Sequence, residues 1–179
     1  MAKSIQVSGG VLVANDGSTY AQAALSEAMR FAKGLQMPVT AVRAWRISTA
    51  PRPASWTVGY VPGLAEFEAA TLEALDQDVA EIRASFPDTP LSTGVVHADP
   101  SAALIEASSS VDLIVVGRRG RGGFAGLLLG SVSDHVVRHA QCSVLVGKKP
   151  ETFADADEPV DVAERDQLEQ ALISELKLD

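Results

Sequence analysis

Residues 113–131 read LIVVGRRGRGGFAGLLLGS, an apolar, β-branched run that leads into a loop rich in glycine and arginine. The residues from Val132 to His139 follow, and their composition suits a helix. Glycine lets backbone N–H groups approach an anion closely, and the first turn of a helix offers N–H groups that have no partner. A helix N-terminus also carries a partial positive charge that favours phosphate. The order of strand, glycine-rich loop and helix therefore predicts a phosphate-binding site in an α/β protein.

Two familiar phosphate motifs do not fit this loop. A Walker A loop requires a lysine before its Ser or Thr, and Leu129 precedes the Gly-Ser pair. The dinucleotide pattern G-x-G-x-x-G requires a third glycine where Ala125 stands. The spacing that fits is G-x2-G-x9-G-[ST], with its fixed positions at Gly117, Gly120, Gly130 and Ser131. The alternative is a turn that only closes a βα connection, although such connections usually need about two to six residues.

This spacing resembles the nucleotide-binding motif of the universal stress protein family, in its ATP-binding branch. The resemblance covers roughly residues 7–148. It implies that the chain binds ATP or another adenine nucleotide, together with Mg²⁺, and that it forms a homodimer. The residues that the resemblance places around the nucleotide are Asp16, Ala44, Gly117, Arg118, Gly120, Gly130, Ser131, Val132 and Ser133.

Several of these positions allow a second interpretation. Asp16 contacts the nucleoside or helps to arrange a metal by resemblance, but it also suits an Asx-turn or the N-cap of the following helix. Ala44 would contact adenine through its backbone, which any side chain permits, while Arg43 stands where the family often has His. Ser131 is either a phosphate ligand or an N-cap, with Asp134 three residues later resembling a capping box.

Strands and helices are predicted to alternate along the chain. The predicted strands cover Gly10–Ala14, Pro38–Trp45, Leu91–Val96, Asp112–Val116 and Ser143–Val146, and the helices cover Thr19–Gly34, Leu64–Ser85, Pro100–Ser109 and Val132–His139. Short apolar strands that alternate with helices favour a parallel sheet covered on both faces. The resemblance implies an open, five-stranded, Rossmann-like sheet of order 3-2-1-4-5. We expect Phe31 on or near the buried face of the first helix, while Leu64 and Leu72 belong to the apolar positions that recur every three or four residues along the second.

Composition limits the class of protein. The chain has 179 residues, 46% of them hydrophobic, and one cysteine, which suits a reducing compartment. No apolar run reaches transmembrane length and the first residues lack a signal-peptide core, so we expect a cytoplasmic protein. Residues 1–149 carry 13 acidic and 13 basic side chains, without the broad basic face that nucleic acids require.

The charge divides the chain into a nucleotide-binding domain, residues 1–149, and an acidic tail, residues 150–179. The tail holds 10 acidic and 2 basic side chains, so it carries the whole net charge of −8. Its start has a linker composition, and its end has a narrow apolar stripe formed by Leu168, Ala171, Leu172 and Leu176. Two interpretations stay open: a partly ordered tail, or a helix that docks on the body or on a second subunit.

Three functions are compatible with these observations. The first is an ATP-binding, nucleotide-responsive regulator of stress tolerance. The second is a slow ATPase or a related enzyme, and the third is an interaction module that does not depend on nucleotide. Fast phosphoryl transfer needs a positioned base and metal ligands, and Asp16 is the only carboxylate predicted beside the loop. We therefore predict no catalytic residue, and no protein metal site, because His135 and His139 lack a third ligand.

Overall fold

The computed structural model describes residues 4–121 and 128–148. Within these ranges, strands and helices alternate along the chain. The elements are β1 (Val11–Ala14), α1 (Thr19–Leu35), β2 (Val39–Trp45), α2 (Leu64–Ser85), β3 (Leu91–His97), α3 (Pro100–Ala107), β4 (Leu113–Val116), α4 (Ser131–His139) and β5 (Ser143–Val146). A 3-10 turn at residues 108–110 extends α3. Each predicted strand and helix is confirmed, and only the ends differ, by one or two residues.

The five strands form one parallel sheet in the order β3-β2-β1-β4-β5. This order confirms the prediction. The chain winds outward from β1 to β2 and β3, and then returns to the other side of β1 with β4. The carboxyl ends of β1 and β4 therefore lie side by side at the point where the winding reverses, which is where ligands bind in open α/β sheets.

Helices cover both faces of the sheet, as predicted. Helices α1 and α2 pack on one face, in a core that includes Val13, Met29, Leu75 and Val115. Helices α3 and α4 pack on the other, in a core that includes Leu12, Leu104, Ile114 and Val136. Alternate residues of β1 and β4 point into opposite cores, because side chains of a strand alternate between its two faces. No helix in the described part of the chain is both long and apolar enough to cross a membrane.

Three apolar residues of the predicted helical patterns lie at the surface and not in the core. Phe31 is 51% exposed, Leu64 is 52% exposed and Leu72 is 36% exposed. The buried stripe of α2 is narrow, with one residue in each turn: Phe67, Thr71, Leu75 and Val79. The buried stripe of α1 consists largely of alanines, which allow the helix to approach the sheet closely. Apolar residues beside such narrow stripes remain at the surface.

A glycine and a carboxylate hold the amino ends of the central strands together. Gly10 has a φ of +77°, and a Cβ at this position would lie 2.6 Å from the carbonyl oxygen of Pro38. The backbone nitrogen of Gly10 donates a hydrogen bond of 2.7 Å to Oδ2 of Asp112. Since a side chain would meet both a rigid backbone oxygen and an unfavourable φ, only glycine fits here.

Candidate functional site

A cavity of about 400 Å³ lies at the carboxyl ends of β1, β2 and β4. Its volume falls within the range of about 300–1,000 Å³ that is typical of small-molecule sites. Its apolar wall includes Ala14, Val42, Leu104 and Val116, and its polar side includes Asn15, Asp16, Arg43, Arg119 and Arg121. Eight of the nine predicted site residues line it: Asp16, Ala44, Gly117, Gly120, Gly130, Ser131, Val132 and Ser133. Arg118 is the exception, and its carbonyl oxygen accepts a hydrogen bond of 2.9 Å from the nitrogen of Gly130.

Two glycines of the loop are required by close approach. A Cβ on Gly117 would lie 2.9 Å from the backbone carbonyl of Tyr20 in α1. A Cβ on Gly120 would lie 2.6 Å from Oδ2 of Asp16. Side-chain carbons do not approach other atoms so closely in folded proteins, so the loop reaches this position only because both residues lack a side chain.

Gly130 and Ser131 form the entrance to α4. Gly130 is the N-cap, with a φ of −69°, and a Cβ there would make only ordinary contacts, the nearest at 3.4 Å. Ser131 is exposed and is the first residue of the helix. The interpretation of Ser131 as an N-cap in a capping box is therefore wrong, because Gly130 is the N-cap, no side chain within the described ranges caps this helix, and Asp134 pairs with Arg138 one turn later. The N–H groups of the first turn are left for another acceptor.

Ser133 ties this helix to the end of β4. Its side chain is buried, and its hydroxyl donates a hydrogen bond of 2.6 Å to the carbonyl oxygen of Gly117. The two ends of the glycine-rich loop are therefore held together, although residues 122–127 between them lie outside the described ranges. Because the proton of the Ser133 hydroxyl is already donated, this side chain can offer only its oxygen to a ligand.

Asp16 connects the end of β1 to the same loop. Its Oδ1 accepts a hydrogen bond of 3.0 Å from the nitrogen of Ser18, which is an Asx-turn. Its Oδ2 accepts a hydrogen bond of 2.9 Å from the backbone nitrogen of Arg121. The N-cap of α1 is Ser18, whose hydroxyl accepts from Ala21, so the predicted Asx-turn is confirmed and the predicted N-cap role of Asp16 is wrong.

Sequence reasoning missed a buried polar group beside Asp16. Asn15 is only 2% exposed, and its Oδ1 accepts hydrogen bonds of 2.9 Å from the nitrogen of Gly17 and 3.0 Å from Nη2 of Arg43. Its Nδ2 is buried without a partner among the described residues. Arg43 also forms an ion pair with Asp78 of α2. No local pattern signals this pair, because its members stand 35 residues apart.

The carboxylate of Glu66 organises the loop between β2 and α2. Thr49 of this loop lies at the cavity wall. Glu66 accepts hydrogen bonds from the hydroxyls of Ser55 and Tyr60, the latter at 2.7 Å, and from the nitrogen of Gly63 at 2.9 Å. These bonds stabilise the charged form of Glu66 and therefore lower its pKa, and the bond from Ser55 contributes most. The same carboxylate raises the pKa of Tyr60, chiefly by accepting its proton in a hydrogen bond.

The fold and this site define a class of protein: an open parallel α/β domain with a glycine-lined cavity where the sheet reverses its winding. Comparison with known proteins is more specific. The sequence profile of the universal stress protein family matches residues 10–148. The chain belongs to the universal stress protein family.

Mycobacterial relatives are similar to most of this chain. The universal stress protein Rv2005c of Mycobacterium tuberculosis is 37% identical over 142 residues, which cover 78% of this chain and 45% of that protein. A universal stress protein of Mycolicibacterium smegmatis is 34% identical over 140 residues, which cover 76% of this chain and 44% of that protein. The chain thus spans about half the length of these relatives.

Solved structures agree with the fold. The universal stress protein UspA from Lactobacillus plantarum superimposes with a TM-score of 0.58 at 25% identity, covering 80% of this chain and 99% of that one. A universal stress protein in complex with cAMP gives the same TM-score and identity, covering 80% of this chain and 98% of that one. The helices and the parallel sheet of this chain are therefore those of the family.

Proposed function

We propose that this chain binds an adenine nucleotide, with ATP as the expected ligand, and acts as a nucleotide-responsive regulator of stress tolerance. One observation carries the proposal. The complete glycine motif and Asp16, which are about a hundred residues apart in the sequence, converge on a single cavity of about 400 Å³. The complex of a related universal stress protein with cAMP supports the choice of an adenine nucleotide.

The loop side of the cavity suits phosphate. The first N–H groups of α4, at Ser131, Val132 and Ser133, have no acceptor within the helix and lie at the cavity wall. The helix N-terminus adds a partial positive charge. Arg119 and Arg121 also line the cavity and supply cations. A phosphate group here would receive both backbone hydrogen bonds and charge compensation, without any lysine of the Walker type.

The opposite side of the cavity suits a nucleoside. Val42, Leu104 and Val116 offer an apolar wall for a base. Ala44 lies next to the end of β2, where backbone groups can form hydrogen bonds with a base edge. The buried Nδ2 of Asn15 lacks an acceptor among the described residues, and a ligand oxygen or ring nitrogen would satisfy it.

The accompanying cation is expected to be Mg²⁺, which proteins hold through one or two carboxylates plus the phosphates of the nucleotide. Asp16 is the carboxylate at the cavity wall. Both of its oxygens already accept backbone hydrogen bonds, and each retains a further lone pair. Because Asp16 is so engaged, it is a poor general base, and we expect hydrolysis far below the ~1–100 s⁻¹ of kinases.

Calorimetry and thermal unfolding with ATP, ADP, AMP and cAMP test the proposal. At a ligand concentration of about 100 times Kd, binding should stabilise the fold by about 2.7 kcal/mol. GTP serves as the control, because it keeps the triphosphate and changes the base. Equal responses to ATP and GTP would assign recognition to phosphate alone. No response to any of the adenine nucleotides would contradict the proposal and favour a nucleotide-independent interaction module.

Phosphate release measured over a range of Mg²⁺ concentrations separates a binding protein from an enzyme. We expect turnover near the background rate. Turnover at the kinase level that disappears in Asp16→Ala would instead make the chain an enzyme and contradict a purely binding role.

We further propose a cytoplasmic homodimer. Among the described residues β5 pairs with β4 alone, so its other edge is available to a second chain. Sedimentation of the full-length chain at several concentrations tests the dimer, and a concentration-independent monomer would contradict it.

A further inference from the structure

A carboxylate that lies outside the cavity wall is connected to the proposed nucleotide site through a buried arginine that lines it. Asp78 lies on α2 and is not among the residues that line the cavity. Its Oδ2 lies 2.5 Å from Nη2 of Arg43, whose side chain is only 8% exposed and does line the cavity. A guanidinium group that is buried to this extent requires a charged partner, because an unpaired charge in the interior is strongly destabilising.

Arg43 in turn fixes the turn that follows β1. Its Nε donates a hydrogen bond of 2.9 Å to the carbonyl oxygen of Asn15, and its Nη2 donates one of 3.0 Å to Oδ1 of the same residue. That oxygen also accepts from the nitrogen of Gly17. The guanidinium fork therefore holds both the backbone and the side chain of Asn15, which immediately precedes Asp16.

Gly17 lies directly against this ion pair. Its φ is +82°, and a Cβ here would lie 2.8 Å from Oδ2 of Asp78 and 3.1 Å from Nη2 of Arg43. It would also contact Nη2 of Arg121. The turn is thus packed between the ion pair on one side and the start of the glycine-rich loop on the other. Asp16, within the turn, accepts the hydrogen bond from the nitrogen of Arg121.

We propose that Asp78 is a positioning residue for the nucleotide site, acting through Arg43 on the turn that carries Asp16. The inference rests on the proposed function for its ligand, since it concerns the same cavity. When the carboxylate is present, the guanidinium group stays with Asn15 and the turn keeps Asp16 in reach of Arg121. Without the carboxylate, Nη2 of Arg43 loses its charged partner and the whole group is free to turn toward the cavity, where it would disturb both the turn and the ligand.

The first test compares two variants of the same helix. Asp78→Asn removes the charge and keeps the shape. Asp76→Asn is the matched control, because Asp76 lies two residues earlier, outside the cavity lining, and accepts from Thr93 and Arg83 instead. We expect Asp78→Asn to weaken ATP binding by about 3- to 30-fold, the range for residues that act on a site without touching the ligand. Asp76→Asn should leave the affinity nearly unchanged.

Asp78→Glu is the second variant, since it restores the charge one methylene farther from the helix. It should bind ATP more tightly than Asp78→Asn. A thermodynamic cycle then tests the route of the effect: in an Arg43→Gln background, Asp78→Asn should cause no further loss of affinity. Additive losses would mean that Asp78 acts by some path other than Arg43, and would overturn the inference.

A measurement without nucleotide separates this inference from the proposed function. Hydrogen exchange at the backbone nitrogen of Arg121 reports directly on its bond to Asp16. Exchange should become faster in Asp78→Asn and remain as in the wild type in Asp76→Asn. If the wild type binds no adenine nucleotide, the proposed function fails, while faster exchange in Asp78→Asn still supports the link. Unchanged exchange at Arg121 in Asp78→Asn would overturn it.

Discussion

The carboxylate of Asp16 and the backbone nitrogen of Arg121 form a hydrogen bond of 2.9 Å between segments that lie 105 residues apart. This bond connects the turn that follows β1 to the loop that follows β4. A Cβ on Gly120 would lie 2.6 Å from Oδ2 of Asp16, so a side chain there would have to displace the carboxylate. The position of residues 117–121, the described start of the glycine-rich loop, is therefore set in part by contacts within the protein.

Gly120→Ala and Gly130→Val should fail in different ways. The methyl group in Gly120→Ala would displace Asp16 from its bond, so we expect a loss of about 1–3 kcal/mol of stability together with weaker ATP binding. In Gly130→Val the φ of −69° accepts a β-branched residue and a Cβ makes only ordinary contacts with the backbone of residues 118–120, so the protein should fold. Because Gly130 lines the cavity, we expect the added side chain to block the approach of phosphate and to abolish binding. Denaturant unfolding and ATP titration of both variants check this. Normal affinity in Gly130→Val would make Gly130 a mere connector.

Ser133→Ala should lower the free energy of unfolding by about 1–3 kcal/mol, because it removes a buried hydrogen bond to the carbonyl of Gly117. Ser131→Ala is the matched control, since Ser131 is exposed and caps no helix. We expect that control to remain within about 0.5 kcal/mol of the wild type. Urea unfolding of both variants provides the comparison. Equal stabilities would show that the bond to Gly117 contributes nothing measurable.

Acid should loosen the loop between β2 and α2 through Glu66. The pKa of Glu66 is lowered in the folded protein, so its hydrogen bonds stabilise the loop above the ordinary value of 4.5 and are lost as the pH falls through the folded pKa. The fluorescence of Trp56, in the same loop, should change over this range. Glu66→Gln should remove the transition. A transition that persists in Glu66→Gln would assign it to another carboxylate.

The ionisation of the Tyr60 hydroxyl gives an independent measure of its hydrogen bond to Glu66. Since the pKa of Tyr60 is raised above 10.0, the stability from its bond to Glu66 is present below that pH and is lost as the pH rises through the folded pKa. Ultraviolet titration should show one tyrosine that ionises late. In Glu66→Gln this tyrosine should ionise at lower pH, and a late ionisation that persists in this variant would contradict the role of Glu66.

Deleting residues 151–179 should leave ATP affinity nearly intact, because all the described residues that line the cavity precede Asp134. The deletion removes 10 acidic and 2 basic side chains, and so leaves a body with nearly no net charge. Such a protein should associate more readily. Sedimentation of both proteins at low and high salt measures this. A weaker dimer after deletion would mean that the apolar stripe of the tail supports self-association, and a large loss of ATP affinity would mean that the tail reaches the cavity.

Much of the fold could be predicted, because each strand and helix carries its own local signal. Asp99 illustrates this: it stands before Pro100, and in the structure it caps α3 through a bond of 3.1 Å to Ala102. The predicted tail, residues 150–179, lies outside the described residues. Phe31, predicted on or near the buried face of α1, is exposed, because hydrophobicity does not reveal how narrow the buried stripe of a helix is.

The site could be predicted only where one short motif contains it. Gly117, Gly120 and Gly130 were found from their spacing, and the resemblance added Asp16. The pair of Arg43 and Asp78 was not found, because it joins a strand and a helix and neither residue carries a local pattern. Ser131 was interpreted as a possible N-cap of α4, but the N-cap is Gly130. Serine and glycine both suit an N-cap, so only the path of the backbone decides between them.

The bond between Gly10 and Asp112 lies at the amino ends of the same two strands whose carboxyl ends carry the cavity. A substitution at the amino ends of these strands should therefore affect folding, whereas a substitution at their carboxyl ends should affect the cavity. A side chain at Gly10 would prevent the central strands from assembling, and such a variant would be lost from the cell through degradation. If the proposed function is right, a side chain at Gly130 would leave a protein that accumulates normally and does not bind ATP. Measurements of abundance and of ligand response in a library of variants would sort substitutions by the end of the sheet at which they occur.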